Sequence, residues 1–388
     1  MKFIRICVYI GMVAALMFVI FNSVRAGRSY LEIHTALQNR IESYFEDMRF
    51  SRLLRQAHFE YLRATGRNHF NNVTFLTDGR MIIDNLAPNF FLNERADGII
   101  ELGNFVERSG AHFIFVRTPN KLQDYSTLPL AFTHNQSIEY GDSLIRLISE
   151  AGINTFDFRV KMNEEGIDIA EAFFLRDIHF TPETSLWMTG VLGAYINEKF
   201  GLGIDVSVWE SERFERRTFE QAFQGNEIRY VHGYHIFEDV TVVFPKFHTD
   251  LAVSSITYFS YQQGRAGSFT DAFMPRVHEE NVERFDFADI NIPEYPFTRI
   301  VNNAASNNKT VLLISESNGL LQSTHLSLGF AGLDFLYLVT GFTDRVIWEF
   351  IADGDYDVVI FAVSDAALSF DDAYTFYLDR LFLGHPPS

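Results

Sequence analysis

Two residues of complementary chemistry stand two apart in Asp177-Ile178-His179, inside the stretch Phe174-Leu-Arg-Asp-Ile-His-Phe-Thr-Pro-Glu183. In an extended segment that spacing points both side chains to one side, so the carboxylate can hold the Nδ1–H of the imidazole. A histidine oriented in this way is half of a device that activates a nucleophile. The other half is sought downstream, in Ser315-Glu-Ser-Asn-Gly319, which follows the apolar run Lys309-Thr-Val-Leu-Leu-Ile314. A turn from a buried strand into a helix exposes a hydroxyl and offers backbone N–H groups to an oxyanion. Ser317 with a carboxylate-held His179 is a constellation for acyl transfer. Serines at such positions also cap helices, which is the bland use of the same residue.

The elements that must position these residues follow a regular rhythm. The segment 71–84 reads as a hairpin turning at Asp78-Gly79. An amphipathic helix is expected from Glu94 to Ser109, then a buried strand His112-Phe-Ile-Phe-Val-Arg117 that ends near Asn120 and Lys121. A helix over 138–151, a short strand at 154–158 and a helix from Thr184 to Lys199 continue the pattern, the last opened by Thr181-Pro182-Glu183. After 309 the rhythm resumes with a strand, a helix over 320–330, a helix over 344–352, a strand Tyr356–Val363 and a closing helix over 371–382. Alternating helices and strands imply a parallel sheet with helices on both faces, and ligands in such sheets sit beyond the carboxyl ends of the strands. Between 202 and 308 the rhythm fails, and Val231–Pro245 alternates like strands. That stretch reads as an inserted β-rich subdomain or lid.

Composition narrows the partners. A formal charge of −18 over 388 residues argues against nucleic acid or an anionic lipid surface as the main partner. The run from Ile6 to Phe21 carries no charge, close to the roughly 18–20 apolar residues that cross a bilayer. Lys2 and Arg5 precede it, which favours a cytoplasmic N-terminus and an exported remainder. We therefore expect a single-pass protein of the cell membrane, its main domain extracytoplasmic. The one cysteine, Cys7, lies in that run, so the exported part has no disulfide. His232, His235 and His248 lack a partner at ligand spacing and read as surface or core histidines; no metal and no cofactor is called for. No phosphate loop or dinucleotide fingerprint is present.

Four segments resemble the SGNH-hydrolase-like proteins of bacterial cell-surface polysaccharide O-acetylation, the alginate O-acetyltransferase group and the related DHHW proteins. Val116-Arg-Thr-Pro-Asn-Lys121 is similar to that family's strand ending in Pro-x-Lys, and Asp177-Ile-His-Phe-Thr-Pro182 to its Asp-Thr-His-Trp-Thr motif. Val311-Leu-Leu-Ile-Ser-Glu-Ser-Asn-Gly319 resembles the strand into its Gly-Asp-Ser-Phe-Gly block, and Asp355–Phe361 its last strand. The order Asp, His, Ser also matches. The chain departs at Phe180 for Trp, Glu316 for Asp, Asn318 for Phe and Ser315 for Gly.

The resemblance implies a three-layer α/β SGNH-like domain with a mostly parallel sheet and a β-rich insertion, preceded by one transmembrane helix. In residue numbers, 1–5 is a cytoplasmic tail, 6–24 an anchor or uncleaved signal, and 25–66 a stalk or packing helix. The α/β domain then occupies 67–201 and 309–388, split by the insertion 202–308. It further implies an O-acetyltransferase with Ser317 as nucleophile, His179 as base and Asp177 as orienting acid. Asn318, Asn120, Lys121 and Phe180 would serve the oxyanion or the substrate. The implied partners are a polysaccharide acceptor and a membrane-bound acyltransferase that supplies acetyl. An esterase with the same triad, and a non-catalytic glycan-binding or assembly protein, are the competing readings.

Overall fold

The computed structural model describes residues 49–367, apart from 71–72, 77, 84–91, 122–136, 232–235, 257–260, 263, 278–283, 293, 339–343 and 366. The expected tail, anchor and C-terminal helix lie outside these residues, as do His232 and His235. Among the described residues no helix is long and apolar enough to cross a membrane. The chain divides into two compact units, Met1–Arg67 and Asn68–Ser388. What is described of the first is a helix, Arg49–Ala64, followed by Gly66 in the left-handed region.

The second unit opens with three short strands, β1 (His69–Phe70), β2 (Val73–Phe75) and β3 (Met81–Ile83), paired antiparallel around Gly79 at φ +88°. The helix Leu92–Arg108 leads to β4 (His112–Thr118), and the helix Ser137–Glu150 to β5 (Thr155–Asp157). Helices Phe158–Glu165, Ile169–Ala172 and Pro182–Phe200 follow. Then come β6 (Phe214–Phe223), a short helix Asn226–Tyr230, β7 (Glu238–Pro245), β8 (Leu251–Ile256), β9 (Tyr261–Gln262) and β10 (Ala266–Gly267). After the helix Phe269–Phe273, the chain runs through β11 (Phe297–Asn302), β12 (Thr310–Ser315), the helix Asn318–Leu326 and β13 (Gly332–Tyr337). It continues into the helix Asp344–Asp353 and β14 (Val358–Ser364).

One mixed sheet of nine strands, in the order β10-β8-β11-β13-β12-β14-β4-β5 with β9 on β8, organises the unit. From β13 to β5 the strands are parallel. Their side chains alternate between two cores, as period-2 geometry demands. Ile114, Val116, Leu313 and Ile360 join Leu192, Ile196 and Leu321 on one face. Phe113, Phe115, Leu312 and Phe361 join Ile99, Leu102, Leu144 and Ile148 on the other. A strand covered on both faces reads as an unbroken apolar run, which is why β4, β12 and β14 stand out in the sequence.

The 202–308 stretch corrects the expectation of a separate insertion. β8 and β11 extend the central sheet, pairing antiparallel with each other and, through β11, with β13. β11 alternates buried and exposed positions, Ile300 inside and Val301 41% exposed, because its outer face meets solvent. β6 and β7 form their own two-stranded ribbon.

Candidate active site

Register places the candidate residues at one end of the sheet. Ser315 pairs with Ala362, and Ala362 with Val116, so β12 ends two residues short of the end of β4, on the other side of β14. Two strand spacings amount to about 10 Å. Ser317 leaves the carboxyl end of β12, and Asn120 and Lys121 follow that of β4. The Lys121 ammonium donates to the carbonyls of Leu175 and Asp177, both at 3.0 Å, which draws the Asp177–His179 segment to the same end.

That segment is a tight loop instead of the expected extended strand end. Phe173 and Phe180 pair as an antiparallel bridge, and the Phe174 N–H donates to the His179 carbonyl at 3.1 Å. Asp177 turns the chain itself: its Oδ1 accepts from the His179 backbone N–H at 3.1 Å and also from His179 Nδ1. An aspartate bonding its own backbone two residues on is an Asx turn. The pair thus meets, by a turn and not by strand geometry. Asp177 Oδ2 accepts from the Asn226 N–H at 2.7 Å. Burial would push this carboxyl up; the His179 imidazole and the two amides outweigh it and hold the group below the usual carboxylate range. The imidazole is buried, lies flat on Phe287 with centroids 3.6 Å apart, and leaves Nε2 without a hydrogen-bond partner among the described residues.

Ser317 sits at the start of the helix Asn318–Leu326, is 8% exposed, and makes no capping hydrogen bond. Capping falls to Glu316, whose Oε2 accepts from the Asn318 N–H at 2.8 Å. The polar neighbour recorded for Ser317 Oγ is that same Oε2, at 3.4 Å, and no hydrogen bond joins Oγ to His179 Nε2.

The other site residues expected from the sequence are placed as follows. Asn318 turns toward Glu316: its backbone N–H and its Nδ2 (3.2 Å) both donate there, and Oδ1, an acceptor, makes no hydrogen bond among the described residues. Asn120 Nδ2 donates to Ser137 Oγ at 3.2 Å. The Lys121 ammonium donates to the loop carbonyls and lies 3.5 Å from Glu227. Phe180 is 3% exposed and packs on Phe173, so the aromatic wall against His179 is Phe287. Two further acids serve the fold: Asp157 caps the helix it precedes, and Asp334 binds Arg299 and the Tyr356 hydroxyl.

Two buried acids escaped the sequence reading. Glu238 accepts from the N–H groups of Leu175 (2.7 Å) and Arg176 (2.9 Å), and burial pushes its carboxyl up. Glu227 is wholly buried; burial pushes it to about 8, with Lys121 pulling back and the charges of Asp177 and Glu238 pushing further. An acid opening the apolar strand β7 is the signal that could have found Glu238. Glu227, in a polar stretch, gave none.

The described residues thus form a mixed α/β fold with a carboxylate-held histidine and a helix-start serine at one sheet end. No family model and no curated protein matches the chain. Solved structures do match it. Bacillus cereus PatB1 carrying a sulfonyl adduct aligns with a TM-score of 0.63 at 15% identity, over 79% of this chain and 97% of that one. A second structure of PatB1 gives 0.61 at 17% identity, over 77% and 98%. A DHHW family protein from Eubacterium siraeum gives 0.51 at 12% identity, over 79% and 94%. The chain shares the fold of these proteins, the group its motifs resemble.

Proposed function

We propose that the protein is an extracytoplasmic O-acyltransferase that moves acetyl to hydroxyls of a cell-wall or secreted polysaccharide through an acyl-serine. The observation that carries this reading is the buried His179, locked by Asp177 at Nδ1 and left with an unpartnered Nε2. A buried basic nitrogen without a partner is costly unless a reacting group completes it. In the proposed reaction Nε2 takes the proton of Ser317 Oγ as that oxygen attacks the acetyl carbonyl, and returns it to the leaving alkoxide. A sugar hydroxyl then gives its proton to Nε2 and attacks the acyl carbonyl, and Nε2 returns that proton to Ser317 Oγ as the ester bond to the serine breaks. Catalytic hydrogen bonds are often long in unliganded proteins and tighten when substrate binds, so the missing Ser317–His179 bond is compatible with this role. The sulfonyl adduct of the PatB1 structure lends support, since such adducts form at activated nucleophiles. The reading further takes 6–24 as the anchor and a membrane-bound acyltransferase as the acetyl source.

The test is an intact-mass measurement after exposure to a generic acetyl ester. The wild type should gain one acetyl on Ser317, and Ser317→Ala should gain none. Added glycan should divert acetyl from water; if it does not, the protein is an esterase. If neither Ser317 nor Ser315 labels, a glycan-binding role replaces catalysis.

A further inference from the structure

We infer that Lys121 and Glu238 are positioning residues that clamp the backbone of the Asp177–His179 loop, and that the ribbon β6–β7 with Gly225 and Asn226 is the template on which the base is assembled. The inference rests on the reading of His179 as the base.

The loop is gripped from both sides of its backbone. Its N–H groups at Leu175 and Arg176 point into the Glu238 carboxylate, at 2.7 and 2.9 Å. Its carbonyls at Leu175 and Asp177 point at the Lys121 ammonium, both at 3.0 Å. Hydrogen bonds in which one partner is ionised are about twice as strong as neutral ones. The Leu175 carbonyl also accepts from the Met81 N–H at 2.9 Å, and the Arg176 guanidinium returns a bond to the Phe237 carbonyl at 3.1 Å. Glu227 closes the arrangement behind Lys121. Thus the ammonium and the carboxylate fix the four backbone groups that set where Asp177 begins its turn.

A third, independent observation is the room left at residue 225. A Cβ on Gly225 would lie 1.9 Å from the Arg176 carbonyl oxygen and 3.0 Å from the Asp177 nitrogen. Gly225 has φ −69°, a conformation open to any residue, so glycine is needed for space and not for its backbone freedom. The bare backbone lets the segment press against the loop and lets the next N–H, that of Asn226, reach Asp177 Oδ2. A freely opening lid has no use for so close a fit. A template does.

The test reads the Asp177–His179 bond directly in the full-length protein in detergent. The downfield proton resonance of that bond is assigned by its loss in His179→Ala. Gly225→Ala should abolish or shift it and lower kcat for a generic acetyl ester about a hundredfold, as misplacement by an ångström does, with KM changed less than about threefold. Glu238→Gln keeps one acceptor for two N–H groups and should fall between, with Lys121→Met similar. If Gly225→Ala does not fold, Glu238→Gln decides alone. An unmoved resonance with wild-type kcat in the variants that fold overturns the inference, as does a wild type without the resonance. A wild type that shows the resonance but never acetylates Ser317 refutes the acyltransferase reading, while the variants' resonances still decide the clamp.

Discussion

The His179 loop and the Ser317 turn stand at the same end of one sheet but are held in opposite ways. The loop is fixed by groups distant in sequence: Lys121 after β4, Asn226 and Glu238 around the ribbon, and Phe287 stacked on the imidazole. The turn is fixed by its own neighbours, with Glu316 capping the helix that begins at Asn318 and lying nearest to the Ser317 hydroxyl. Preorganisation of the proposed base is therefore a tertiary property, and placement of the proposed nucleophile a local one. Substitutions across the fold should disturb the base, whereas the nucleophile should respond to changes within its own turn.

The largest effect should come from the base itself. His179→Ala should lower ester turnover on the order of a thousandfold or more, because a serine without its base is a poor nucleophile at neutral pH. Asp177→Asn should lose activity through the wrong imidazole tautomer. It should also lower stability by about 1–3 kcal/mol, since both carboxylate oxygens accept in a fully buried site and an amide offers one acceptor. A thermal melt beside the kinetics separates the two losses. An Asp177→Asn protein as stable as the wild type would break the comparison, because the loop would then not depend on its remote partners.

How much of this was legible in the sequence follows from what each feature needs. The parallel strands β4, β12 and β14 were readable because burial on both faces forces an unbroken apolar run. β8 and β11 were not assigned to the sheet, because one-sided alternation looks the same in an added edge strand and in a separate hairpin. Asp177 and His179 were found as a pair from their types and spacing, although the turn that joins them needs no strand. Lys121 stands out as a lysine near a site, which reads as substrate-binding, whereas its bonds to backbone carbonyls carry no side-chain pattern and were not foreseen. Glu227 was invisible because an acid is ordinarily solvated, and only tertiary contact reveals that this one is not.

Glu227 supplies a smaller effect that sharpens the contrast, because it gives the loop's support a pH dependence. Its ordinary value of 4.5 rises to about 8 in the folded protein. Between those values the folded chain keeps a proton that the unfolded chain has released. Its contribution to stability is therefore fully present below about pH 4.5 and is lost as pH rises toward 8, by up to about 1.4 kcal/mol per unit. Gln at 227 mimics the protonated acid. Melting curves of wild type and Glu227→Gln should nearly coincide close to pH 4.5 and separate by several degrees at pH 8, with the variant the more stable. A gap that stays constant from pH 5 to 8 would remove Glu227 from the account.

The smallest effect is expected at Asn318, where the local character of the nucleophile's turn can be tested against the family pattern. An oxyanion donor, when removed, costs about a hundred- to a thousandfold in kcat. The Asn318 amide instead donates to Glu316 Oε1, and its backbone N–H, which any residue retains, supplies the stronger bond to Oε2 at 2.8 Å. Asn318→Ala therefore deletes one side-chain bond to a carboxylate that stays capped. Stability should fall by about 1 kcal/mol, and kcat for a generic ester should change less than about threefold. A hundredfold loss would mean that the amide leaves Glu316 to meet the substrate, so that the turn rearranges on binding and the nucleophile, like the base, depends on more than its resting neighbours.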